Sequence, residues 1–288
     1  MIKLFTDTSA NLPLNLIIEN DITIVPFSYS IDGIEADYSE KSDFDGKAFY
    51  DAMREGAVVN TSMVNPGTFI EAFSKELEAG NDVLYVGMSG GISGTAHSAA
   101  VAVEKLRAVY SDAKIAAIDT LAASLGEGLL VLEAAARIAE GMSFEEVEDR
   151  ILTLRDFMCQ YFMVDDLEYL KRGGRISGTA AILGSILNIK PILTGNSAGK
   201  IVMDGKSRGR KRALATLADK YAELVLDKKA DIGIAHADSE SDVEYLIDLL
   251  REHGFEGKCL KVYYEPVTGS HVGPGTIALF FQGKYKKD

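Results

Sequence analysis

The sequence predicts an α/β protein in two units, and three observations carry that prediction. Short apolar runs alternate with stretches of helical period through the first half, which implies a mainly parallel sheet covered by helices on both faces. In the second half more of the apolar runs are joined by short turns, which implies a mixed or antiparallel sheet with helices. The change of character falls at 157–159, so an N-terminal α/β/α unit over 1–158 and a C-terminal α/β unit over 159–288 are expected. Neither a repeat nor a low-complexity linker separates them, so close packing is expected, and a cleft between two α/β units is a common place for a ligand.

Each element has its own signal. KLFTD is the first strand. Asn11 offers a cap and Pro13 stands in the first turn of a helix through Leu16 and Ile17. ITIVPFSYSI and IEADY flank Asp32-Gly33, a hairpin dipeptide. Ser42 is the expected cap of a helix through Phe44, Phe49 and Met53. Asn65-Pro66 opens another helix and Gly80 closes it. DVLYVGM is a buried strand, and a helix through Val101, Leu106 and Val109 follows the glycine-rich stretch beyond it. KIAAID and two helices, over about 123–140 and 143–157, complete the first unit. In the second unit CQYFMV is a strand, DLEYLKRGG a short helix ended by glycines, and AAILGSILNI an apolar helical segment. KPILT and GKIVMDG follow, then a long helix over about 208–226. IGIAHA, a helix through Val243, Leu246 and Leu250, CLKVYYEPV and IALFFQ complete the pattern.

Charge narrows the function. With 30 basic and 43 acidic residues the net charge is −13, so a phosphate polyanion is repelled on average and general nucleic-acid binding is excluded. Any anion must be held locally. Basic residues gather in KRGGR, Lys171 to Arg175, and in KSRGRKR, Lys206 to Arg212. No apolar run is long enough to span a bilayer, and the first apolar run stops at Asp7, too soon for a signal peptide. A cytoplasmic protein is expected, with Cys159 and Cys259 as reduced thiols that lack metal-ligand spacing.

The glycine-rich stretch SGGISGT, Ser89 to Thr95, follows a strand and opens a helix. Free backbone N–H groups and the positive end of the helix dipole make such a turn an anion site, to which Ser89, Ser93 and Thr95 add hydroxyls. A tight connection with Ser93 as cap is the plainer reading of the same residues. The stretch matches neither the Walker A motif nor the dinucleotide fingerprint. GMSGG does fit G-x-S-x-G, with Ser89 as candidate nucleophile and Asp238 and His271 downstream, but three fixed positions in a glycine-rich loop are weak support. Asp7-Thr8-Ser9 and Asn60-Thr61-Ser62 are polar stretches that line the same crevice if their strands run parallel. His271 stands in GSHVGPG, a turn-rich stretch, and His97, His236 and His253 lack partners at metal spacing, so no metal or cofactor is expected. Cations at a helix N-terminus oppose its dipole, so the run Lys206 to Arg212 suggests a phosphate or an acidic partner protein.

Taken in order, FTDTSANLP, TSMVNPGTF, SGGISGTAHSA, IDTLAASLGEGLLV, VDDLEYLKRGGRISGTAAILGSILNIKPIL, GKI, KSRGRKRAL and HVGPG resemble the DegV family of bacterial fatty-acid-binding proteins. The resemblance covers essentially the whole chain. It implies a two-domain DegV-like fold with one long-chain fatty acid, such as palmitate, in an apolar tunnel between the halves. It implies that Thr61 and Ser62, Ser93 and Gly94, and His271 hold the carboxylate. Arg175 and Arg208 or Arg210 would lie near the carboxylate end, as an anion patch or a docking surface. The resemblance further implies a carrier and not an enzyme, which presents its ligand to a separate ATP-dependent fatty-acid kinase. AAILGSILNI and the IALFF strand are candidate tunnel walls. Met63-Val64-Asn65 and His97 depart from the family's usual residues, which bears on chain-length preference. A serine hydrolase using Ser89 and a carrier of a small carbonyl compound are the readings from other classes.

Overall fold

The computed structural model describes residues 1–37, 44–176 and 188–287. The expected cap Ser42 and most of the apolar segment AAILGSILNI lie outside the described residues. In chain order the first half comprises β1 (Ile2–Asp7), α1 (Leu14–Glu19), β2 (Ile22–Val25), β3 (Ser28–Ile31), β4 (Ile34–Asp37), α2 (Gly46–Arg54), β5 (Val59–Ser62), α3 (Pro66–Glu78), β6 (Asp82–Gly87), α4 (Thr95–Arg107), β7 (Ile115–Asp119), α5 (Leu125–Ala139) and α6 (Phe144–Leu154). The second half comprises β8 (Met158–Met163), α7 (Glu168–Arg172), β9 (Ile189–Gly195), β10 (Ile201–Arg208), α8 (Arg210–Leu224), β11 (Ile232–His236), α9 (Glu240–Glu252), β12 (Cys259–Tyr263), α10 (Pro266–Val272) and β13 (Ile277–Gln282).

The strands form three sheets. One is wholly parallel, in the order β2-β1-β6-β7. The second is mixed, in the order β10-β9-β8-β13-β11-β12, with only β11 and β12 parallel. The third is a small antiparallel sheet, β4-β3-β5, whose β3–β4 hairpin turns at Asp32-Gly33 with both residues at positive φ. The α/β class and the division into a parallel and a mixed sheet match the sequence expectation.

Local chemistry explains several element ends. Asn65 accepts the Thr68 amide at 3.1 Å, Pro66 occupies the first turn of α3, and Phe69, Phe73 and Leu77 form its buried stripe. Ser143 and Glu146 form a capping box at α6. Helix α2 takes Asp45 as its cap, whose carboxylate accepts the Ala48 amide at 2.9 Å. Helix α5 is the element shared by the two larger sheets: it packs on β1 and β6 on one side and on β8, β11 and β13 on the other. Its small residues permit this. A Cβ at Gly128 would lie 2.4 Å from the Ala10 carbonyl oxygen.

Three local expectations need correction. Asn11 does not cap α1. It ends a short 3-10 turn in the left-handed region, with φ 56°, and its amide bridges the far end of the chain. Nδ2 donates to the Tyr263 carbonyl at 2.8 Å and Oδ1 accepts the Glu265 amide at 2.6 Å. Pro13 accordingly precedes α1, in the cap position. Asn60-Thr61-Ser62 does not follow a parallel strand but is part of β5, paired antiparallel with β3 so that Thr61 faces Tyr29 in register. Finally, the stretch around His271 is not a turn but helix α10, opened by Pro266 and capped by Glu265. Gly269, Gly273, Pro274 and Gly275 give it the look of a turn. Packing decides otherwise: a Cβ at Gly269 would lie 2.1 Å from the Tyr50 hydroxyl, so the glycine serves a helix contact.

Candidate functional site

Between the sheets lies a cavity lined by residues of both halves and mainly apolar. Its polar lining gathers Thr61 from β5, Ser93 from the turn before α4, His271 from α10 and Arg175 after α7. Alternation along β5 turns Thr61 inward and leaves Ser62 exposed. Thr61 Oγ1 lies 2.9 Å from His271 Nε2. Gly173 makes room for this imidazole, since a Cβ there would stand 2.4 Å from Nδ1. Burial pushes His271 down to about 4, helped by the nearby Arg175 and Arg172 charges, so the ring is neutral at neutral pH.

Ser93 is buried, and its hydroxyl donates to Thr95 Oγ1 at 3.0 Å while accepting the Thr95 amide at 3.3 Å. Thr95 Oγ1 in turn accepts the Val64 amide at 3.3 Å, which ties this turn to the segment after β5. Gly94 is exposed and stands at the start of α4, where a Cβ would meet the Met63 sulfur at 2.5 Å. Arg175 donates from Nε to the Ile92 carbonyl at 3.0 Å, and burial lowers its pKa. The other arginines stand elsewhere. Arg208 is exposed at the end of β10. Arg210 is engaged by Asp165, Asp242 and Ser239, at 2.8, 2.6 and 3.0 Å.

The nucleophile reading of Ser89 fails on geometry. Ser89 is fully buried, its hydroxyl donates to the Gly199 carbonyl at 2.8 Å, and it accepts the Gly91 amide at 3.1 Å. His271 is paired with Thr61, and Asp238 with Arg54 at 2.5 Å. The three residues of the supposed triad therefore hold three different partners, and Ser89 locks the turn. A serine-directed phosphonate probe is expected to leave Ser89 unlabelled, as read by intact-mass spectrometry. Stoichiometric labelling would reinstate the hydrolase.

Behind the turn lies a cluster of buried polar groups. Only Asp7 and Ser9 of it stood out in the sequence. Asp7 ends β1, fully buried. Its Oδ1 accepts the Ser9 amide at 2.9 Å and the Ser9 hydroxyl at 2.5 Å; its Oδ2 accepts the Tyr85 hydroxyl at 2.5 Å and the Met88 amide at 3.1 Å. Glu127 on α5, also fully buried, touches the same Ser9 hydroxyl at 2.7 Å through Oε2 and the Thr6 hydroxyl at 3.0 Å through Oε1. Met88, whose amide Asp7 holds, lines the cavity. A lone acid on an otherwise buried helix face, as in LGEGLLV, was the available signal.

Among the described residues no cluster of three or more His, Cys, Asp or Glu could hold a metal ion, and no helix is long and apolar enough to cross a membrane. Cys159 and Cys259 are free thiols whose pKa values burial pushes up to about 11 and about 12.

Fold and site together define a class: α/β proteins with a parallel and a mixed sheet packed on a shared helix, enclosing an apolar cavity with one cluster of hydroxyl, imidazole and guanidinium groups. The chain belongs to the DegV family. The family model, described as an uncharacterised protein of the DegV family, matches residues 1–284. A DegV domain-containing protein of Clostridium perfringens is 40% identical over 285 residues, which cover 99% of this chain and 98% of the relative. A solved DegV family protein of Thermus thermophilus, described for its fatty acid binding, superposes with a TM-score of 0.86 at 32% identity, over 98% of this chain and 99% of that one. A fatty-acid-binding DegV family protein of Streptococcus agalactiae gives 0.87 at 30% identity, over 99% of each chain.

Proposed function

We propose that the protein is a carrier that binds one long-chain fatty acid in the cavity, with the carboxylate at Thr61, Ser93 and His271 and the acyl chain along the apolar walls. One observation carries this reading: the Thr61 and Ser93 hydroxyls, a neutral imidazole and a guanidinium line one mainly apolar cavity. The solved relatives named for fatty acid binding support it. The energetics agree. A buried carboxylate needs donors, and hydroxyls supply them without an obligatory ion pair. The tail contributes about 0.8 kcal/mol per buried CH₂, so the chain sets affinity and the head sets orientation. Ser62 and Gly94, both exposed, fall outside this carboxylate site.

The reading takes 1–158 and 159–288 as the two units that close on the ligand. It also makes the protein the substrate-presenting partner of an ATP-dependent fatty-acid kinase in the cytoplasm. The exposed Lys206, Arg208, Lys211 and Arg212 form the surface for an acidic face of that kinase, while Arg210 is held in its own ion pairs.

Mass spectrometry of an organic extract of the purified protein tests the ligand class: one long-chain acid per chain is expected. Thr61→Ala and Ser93→Ala should each weaken binding of that acid about tenfold, the worth of one hydrogen bond to a charged group, without unfolding the protein. Unchanged affinity in both variants would remove the head-group assignment.

A further inference from the structure

The Ser9 hydroxyl raises a question of proton count. Its oxygen lies 2.5 Å from Asp7 Oδ1 and 2.7 Å from Glu127 Oε2, both within hydrogen-bond distance. A serine hydroxyl has one proton to donate. Two ionised carboxylates cannot both be satisfied by it, so one of the two contacts must carry a proton from the acid. The surroundings offer no substitute: among the described residues no Lys, Arg or His is bonded to either carboxylate, and both side chains are fully buried.

The donors decide which acid holds the proton. Asp7 receives two backbone N–H groups, one on each oxygen, together with the Tyr85 and Ser9 hydroxyls. That set suits a carboxylate anion. Among the described residues Glu127 meets only hydroxyls, Thr6 on one oxygen and Ser9 on the other. We infer that Glu127 is a neutral carboxylic acid that donates to Ser9 Oγ, and that the relay from Glu127 through Ser9 to ionised Asp7 positions the cavity turn through the Met88 amide. Glu127 is a positioning residue: it touches no ligand, but the anion it steadies fixes where residues 88–93 begin.

The charges that face the pair agree with this assignment. Burial is the first cause raising Glu127 well above the ordinary 4.5, and the Asp7 charge and the Glu265 charge at the start of α10 push in the same direction. The Tyr85 phenol on β6 is likewise raised well above its usual value by burial and by the Asp7 and Asp119 charges, so it stays a donor. Folding therefore holds a proton that the unfolded chain releases above about 4.5. For a group raised on folding, the associated stability is fully present below the unfolded value and is lost as pH rises through the folded value. Glu127→Gln, which cannot ionise, should lack that loss, so its stability relative to wild type should grow with pH.

The test compares wild type with Glu127→Gln and Glu127→Leu. The infrared difference between wild type and Glu127→Gln at neutral pH should show the carbonyl stretch of one protonated carboxylic acid, present only in wild type. The Gln variant should fold, melt no lower than wild type at neutral pH and bind palmitate within about twofold of wild type, because its amide supplies the same acceptor and donor. The Leu variant should lose affinity at least tenfold. Absence of the protonated-acid band overturns the inference. So does a Gln variant that fails to fold or binds as poorly as Leu. The infrared and melting readouts need no fatty acid, so a failed ligand assignment leaves this result standing on its own.

Discussion

Replacing Asp7 with Asn is expected to destabilise the fold by about 2–3 kcal/mol, although the two side chains share a shape. The reason is directional. Each carboxylate oxygen of Asp7 accepts a backbone N–H, from Ser9 on one side and from Met88 on the other. An asparagine amide has one accepting oxygen, so whichever way it turns, its NH₂ faces a main-chain N–H that cannot rotate away. Asp7→Ala removes all four bonds and should cost more, about 3–5 kcal/mol, the usual range when the partner of a buried hydrogen-bonded network is deleted. Urea denaturation measures both. The contrast with Glu127→Gln is the sharp point: one acid should tolerate its amide and the other should not. Equal tolerance at both positions would contradict the arrangement of donors.

A second large effect is expected at Gly91. A Cβ there would lie 2.5 Å from the carbonyl carbon and oxygen of Gly199 and 2.6 Å from the Ala198 oxygen. All three are main-chain atoms in the turn between β9 and β10, which is itself pinned: Gly199 holds φ +67°, and Ser89 donates to its carbonyl. Neither side can yield. Gly91→Ala should therefore cost about 3 kcal/mol and weaken ligand binding, because the turn that carries Ser93 must lift off the mixed sheet. Gly205→Ala is the matched control, since beyond its chain neighbours no atom of the described residues lies within 4 Å of its added methyl, and it should change the melting temperature little. Thermal melts of the two variants side by side decide the matter.

Much of this architecture is legible from periodicity and caps alone. Asn65-Pro66, the Asp32-Gly33 hairpin and the apolar strand DVLYVGM each announce themselves through neighbours within a few residues, and each stands where expected. What escaped depends on distant partners. The turn-like PVTGSHV is a helix because Tyr50 packs on its glycine, from more than two hundred residues earlier. Thr61 and Ser62 read as an equivalent pair of hydroxyls until β5 pairs with β3, and the strand's alternation then separates them. Ser89 fits a nucleophile motif in five residues, yet its role is set by a carbonyl 110 positions away. Glu127 is isolated in its helix, and its meaning appears only when Ser9, 118 positions earlier, arrives beside it.

The bridge from Asn11 to Tyr263 and Glu265 has a consequence for the order of folding. Its two bonds span 252 and 254 positions, the Tyr50 hydroxyl reaches Tyr264 across 214, and Thr61 reaches His271 across 210. A chain leaving the ribosome N-terminus first can assemble the parallel sheet β2-β1-β6-β7 early, since all of its strands precede residue 120. The Asn11 bridge, the Tyr50 contact and the imidazole beside Thr61 must wait for α10 and the strand before it. Loop closure over such separations slows the last step and leaves apolar surface open meanwhile. The cavity is thus the final part of the protein to exist, and during synthesis its unfinished walls are the surface that a chaperone would meet.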